Sequence, residues 1–134
     1  MIANRQPAGI QHVGIAGVSK PCVDAVQRLL QYNDHISSAK LLSSDQAHCL
    51  LLTIDEFDYV AVKGGFTSGY SGEGPSALAH VLQLLVGHGI EVEEVLVKKS
   101  VLERLDQSAL TAQDLETILA ASPVRPIRFH DYIF

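Results

Sequence analysis

Apolar positions follow two different periods along the chain. Ile10-Gln11-His12-Val13-Gly14-Ile15-Ala16-Gly17-Val18 carries apolar groups at 13, 15 and 18, which predicts a first strand weakened by glycine. Val23, Val26, Leu29 and Leu30 then repeat at helical spacing. Ser19 is the expected N-cap, Pro21 sits in the first turn, and Asn33 is the expected stop. Ser38 to Ser43 reads as a strand with Ala39, Leu41 and Leu42 inward, followed by a turn over Ser43-Ser44-Asp45-Gln46. His48 to Ile54 is continuously apolar, as a central strand should be. Asp55-Glu56-Phe57-Asp58 turns the chain, and Tyr59 to Lys63 returns as the hairpin partner.

The second half alternates helices with one further strand. Pro75 and Gly87 or Gly89 bracket a helix with a stripe of Leu78, Val81, Leu82 and Leu85, widened by Leu84 and Val86. Ile90 to Val97 alternates in its first half and reads as a strand, in which Glu91, Glu93 and Glu94 form a solvated face. Ser100 to Glu103 fits a capping box for a helix to about Gln107, and Thr111 to Asp114 fits another before Leu115, Ile118 and Leu119. Beyond Pro123, the alternation from Pro126 to Phe134 predicts a terminal edge strand. The expectation is one α+β domain over 1–134, with a mixed, mainly antiparallel sheet, helices packed on one face, and a loose terminus over 1–9.

Composition narrows the function classes. Of 134 residues, 47% are hydrophobic and 19% charged, which suits a folded core rather than a disordered chain. Ten Lys and Arg against fifteen Asp and Glu, a formal charge of -5, argue against a nucleic-acid partner, which is held mainly by clustered positive charge. No apolar run approaches the ~20 residues of a membrane span, and the start of the chain has no signal-peptide core. The expectation is therefore a cytoplasmic protein without a membrane partner. Cys22 and Cys49 read as small buried apolar groups, and no CxxC, CxxCH or HExxH pattern is present.

Five of the ten glycines fall between Gly64 and Gly74. Glycine-dense connections before a helix often hold anions through free N–H groups and the helix dipole. The candidate ligand-binding residues are Lys63, Ser68, Gly69, Tyr70, Ser71, Gly72, Gly74 and Ser76. The named phosphate motifs fail. Pro75 stands where a phosphate-binding lysine belongs, and the glycine stretch is too long for the tight turn of a dinucleotide fold. The expected function is binding of a small polar or anionic ligand at Gly64–Ser76, with no catalytic residue assigned and the cofactor left open. The alternative is a protein-interaction or homo-oligomerisation module using strand edges and the tail Arg125, Arg128, Phe129, His130, Tyr132 and Phe134. A further alternative is a haem or metal protein built from dispersed histidines, with His80 and His88 as the candidates.

His12-Val13-Gly14-Ile15-Ala16-Gly17-Val18, a helix and three strands to Val62 resemble one βαβββ module of the vicinal-oxygen-chelate (glyoxalase-like) family, over about half the chain. The second half opens on the glycine segment and a helix instead of a second module, and no metal ligand carries over.

Overall fold

Alternation in the central strands requires cover on both sides of the sheet. In the computed structural model, which describes residues 6–32, 35–56, 58–69 and 72–133, strand Ala47–Ile54 directs Leu50 and Leu52 to one face and Cys49 and Leu51 to the other. All four are buried. A continuously apolar strand is stable only between two apolar layers. Asn33, Phe57, Tyr70, Ser71 and Phe134, which enter the sequence reading above, lie outside the described residues.

The elements in chain order are β1 (Gln11–Val13), α1 (Ser19–Gln31), β2 (Ile36–Ser44), β3 (Ala47–Ile54), β4 (Asp58–Thr67), α2 (Glu73–Gly87), β5 (Glu91–Leu96), α3 (Lys99–Asp106) and α4 (Ala112–Ala120). A 3₁₀ turn, Phe129–Tyr132, follows. The sheet order is β1-β4-β3-β2-β5. Neighbours β2, β3 and β4 are antiparallel, whereas β1 and β5 run parallel to β4 and β2. The fold is α+β with a mixed sheet, as expected. The helices are divided between its faces: α1 and α2 cover the side of Leu41, Leu50, Leu52 and Val62, and α3 and α4 cover the side of Leu42, Cys49, Leu51 and Ala61. The first half has the βαβββ order of the resemblance, and the second half does not repeat it.

The glycine segment begins inside the sheet. Gly64, Gly65, Phe66 and Thr67 belong to β4, and Phe66 is fully enclosed. The β3–β4 register shifts between His48 and Leu50, so the glycine pair forms an irregularity in the strand. Its cause is close packing from both faces. A Cβ on Gly65 would lie 2.7 Å from the Val18 carbonyl oxygen and 2.9 Å from both Cys22 Sγ and Ser19 Cα. Ser19 is therefore the first helical residue rather than the cap, and its hydroxyl donates to the Gly65 carbonyl at 2.7 Å. On the other face, the Gly64 N–H donates to Asp106 Oδ1 at the end of α3, at 2.8 Å.

Other boundaries move for local reasons. The first strand stops at Val13 because Gly14 and Gly17 take positive φ and turn the chain into α1. α3 starts at Lys99 with no side-chain cap, so the expected box at Ser100 is not made. The box at α4 is present: Asp114 N–H donates to Thr111 Oγ1, and Asp114 accepts from Thr111 N–H. Asp114 also receives two 2.7 Å bonds from Arg104, which tie α4 to α3. Residues 6–8, expected to be loose, are paired with Leu110 to Ala112 through Ala8 N–H to Leu110 O and Ala112 N–H to Gln6 O. Among the described residues the terminal strand does not form; its place is taken by the 3₁₀ turn.

Substituting Gly65→Ala should lower stability by about 2–3 kcal/mol, since the clash is with backbone and cannot relax by a rotamer change. Gly64→Ala, whose nearest contacts lie at 3.2–3.3 Å, should cost clearly less. Urea unfolding of the two variants beside the parent measures the difference.

Candidate functional site

The strongest cluster of chemically capable side chains lies on the α2 side of the sheet, beneath the C-terminal segment. Ser43 and His48 are cross-strand partners next to the β2–β3 turn, and Glu94 stands on β5, which pairs with β2. All three are buried, Glu94 to 3% exposure. A buried carboxylate is stable only when paired and hydrogen-bonded, and Glu94 is both. Arg128 Nε donates to Oε1 at 2.8 Å and a second Arg128 nitrogen to Oε2 at 3.2 Å. The Tyr132 hydroxyl donates to Oε2 at 2.9 Å and the Ser43 hydroxyl at 2.6 Å. This geometry explains the 3₁₀ turn. In a strand, residues 128 and 132 would stand roughly 13 Å apart; the turn brings both onto one carboxylate. The Val124 N–H also donates to the Glu94 carbonyl at 2.8 Å.

The hydrogen-bond directions settle the state of His48. The Ser43 hydroxyl has one proton, and Glu94 takes it. His48 Nδ1, 2.7 Å from Ser43 Oγ, must then carry a proton and donate to that oxygen. Nε2 is left to accept from the Ser68 hydroxyl at 2.7 Å. Tyr132 packs against the ring at 5.0 Å between centroids.

Charge follows burial. Desolvation pushes the His48 pKa down to about 4; Glu94 opposes the shift and Arg128 adds to it. Burial alone would raise Glu94, but the hydrogen bonds from Arg128, Ser43 and Tyr132 outweigh it and hold the carboxyl below its ordinary range. Burial and then Glu94 push Tyr132 up to about 12. The chain Ser68–His48–Ser43–Glu94 has the order of a hydroxyl, a base and an orienting acid, as in nucleophilic hydrolases. Two facts oppose that use. Arg128 already neutralises Glu94, and His48 is too weak a base to take a proton at neutral pH. The arrangement clasps the C-terminal segment to the sheet.

Among the described residues, those expected to hold a ligand are spread over β4, the connection after it and the start of α2. Lys63 lies in β4, where its charge acts on His12 and Cys22. Ser68 donates its N–H to Gln46 O at 3.0 Å and its hydroxyl to His48. Gly69, at φ +87°, packs against the Gln46 side chain. Gly72 is the N-cap of α2, and its carbonyl accepts from the Ser76 N–H. Gly74 is half-buried in the first turn of α2, and the Ser76 side is exposed. Tyr70 and Ser71 lie outside the described residues. His80 meets Gln27 at 3.2 Å, and His88 Nδ1 meets the Leu84 carbonyl at 2.8 Å. Among the described residues, no group of three or more His, Cys, Asp or Glu is placed to hold a metal ion. Cys49, enclosed beside Asp106, has its thiol pKa pushed up by burial, which agrees with an inert core cysteine. Glu94 was assigned above to a solvated face. The overlooked signal is parity: it shares a strand face with Val92, which is buried.

Two outcomes test the clasp. His48 accepts a proton near 6.5 when unfolded and near 4 when folded. The folded chain therefore binds fewer protons between those values, and stability should fall by about 3 kcal/mol as pH drops through the window. Glu94, held low, adds to the loss as pH falls through the carboxylate range. Urea midpoints from pH 7 to 4 should show this slope, flattened in His48→Gln; a midpoint indifferent to pH would refute it. Glu94→Gln should cost about 3 kcal/mol and open the segment to tryptic cleavage after Arg128.

No family model and no curated protein sequence matches the chain. Its fold is similar to that of a chain of respiratory complex I from Thermus thermophilus, with a TM-score of 0.71 and 22% identity, covering 92% of this chain and 99% of that one. No helix among the described residues is long and apolar enough to cross a membrane. The likeness overturns four expectations: a free ligand-binding domain, a homo-oligomer, a cytoplasmic location and the absence of a membrane partner. The neighbour that has this fold along its whole length is a chain of a respiratory complex.

Proposed function

We propose that this chain is an accessory subunit of a membrane-associated respiratory complex and acts through protein–protein contact. The observation that carries this reading is the correspondence of folds across 92% of one chain and 99% of the other. The interior agrees with a structural role, since its most reactive cluster is consumed in fastening the C-terminal segment. The surface agrees as well. Ile15, Val18 and Tyr32 are large apolar side chains left exposed at the two ends of α1, and exposed aromatic and aliphatic groups anchor protein interfaces. Attachment to a membrane would come through the partner subunits.

A tagged chain expressed in its own host should be recovered from detergent-solubilised membranes with a large respiratory assembly. It should migrate with that assembly on native gels and in gradient sedimentation. Recovery only as a free species of about 14.5 kDa in the membrane-free extract would refute the proposal.

A further inference from the structure

The two edges of the sheet end differently. At β5, Val124 hydrogen-bonds the strand and the C-terminal segment covers that edge. Among the described residues, β1, at the opposite end, is paired with β4 alone. An open edge is a template for another strand, and proteins normally cover or disguise it. Beside this one runs a trough of about 580 Å³ between β1 and one flank of α1. A second hollow of about 520 Å³ continues past the start of β1 and shares Gln11 and Leu29 with the first.

Val13, Pro21 and Leu29 are among the residues lining the trough. Ile15 and Tyr32, 56% and 73% exposed, stand at its ends. Its charged lining is Lys20, Asp24 and Arg28. Lys20 pairs with Asp24 at 2.9 Å, while Arg28 makes no ion pair among the described residues. The trough is thus net positive in a chain of net charge -5.

The geometry points to one occupant: an extended segment of a neighbouring subunit, carrying an acidic side chain, that joins β1 as a sixth strand. This inference rests on the subunit reading above. A strand added about 4.8 Å from β1 places alternate side chains on the α1 side, over the trough, while its backbone pairs with the open edge. A docked helix would fill the trough and leave that edge unpaired. The acidic side chain meets Arg28, and apolar neighbours meet Ile15 and Tyr32.

The test uses the full chain in its host, with incorporation into the respiratory assembly as the readout. Arg28→Glu and Tyr32→Ala, shown to be folded by circular dichroism, should each lower incorporation at least tenfold. Arg28→Lys should retain it, and so should Leu96→Glu, which alters the exposed end of β5 at the other sheet edge. Amide exchange over 11–15 should slow in the assembly relative to the free chain. Normal incorporation of both trough variants would overturn the trough and leave the subunit reading intact. Unchanged exchange with impaired incorporation would replace the strand by a helical occupant. Absence of the parent chain from the assembly would overturn both readings.

Discussion

A single buried carboxylate organises one end of this molecule. Glu94 is too enclosed to be solvated, so its charge is stable only if protein groups replace water. Those groups are three side chains from two separate places: Ser43 on β2, and Arg128 and Tyr132 on the C-terminal segment. The requirement extends further. Ser43 can donate to Glu94 only if His48 donates to Ser43, which sets the imidazole tautomer and assigns Ser68 as the donor to its other nitrogen. One charge therefore dictates the path of the chain end and the orientation of side chains on three strands.

The second constraint is spatial. Helices press on β4 from both faces at Gly64 and Gly65, where α1 approaches too closely for any Cβ and Asp106 of α3 takes a backbone N–H. Two of the five glycines that suggest a ligand loop, Gly64 and Gly65, serve this contact. Their density before a helix looks the same in sequence whether the backbone approaches a phosphate or another piece of backbone. Both arrangements need the same missing side chain.

Much of the layout is legible in the residues. Continuous apolar runs mark β3 and its partner, the 3.6-residue period marks α1 and α2, and Thr111 with Asp114 marks the start of α4. These signals are local, because each reflects which face of one element avoids water. The site was poorly legible for the complementary reason. Ser43, His48, Ser68, Glu94, Arg128 and Tyr132 have no common spacing, and Glu94 sits in an acidic run that resembles an ordinary exposed strand. The likeness to a respiratory-complex chain is still further from local pattern, since it lies in the arrangement of elements, with 22% identity.

The sequence alone determined the class of the fold, the positions of most elements and the enclosure of the central strands, because hydrophobic period and capping act over a few residues. Tertiary structure alone decided three things: that helices cover both faces, that Gly64 and Gly65 lie inside a strand, and that the chain end turns instead of extending. Each depends on groups far apart in the chain, Gly65 on Ser19 and Glu94 on Arg128 and Tyr132. Close backbone approach and the pairing of a buried charge are properties of the assembled molecule, and no run of neighbouring residues records them.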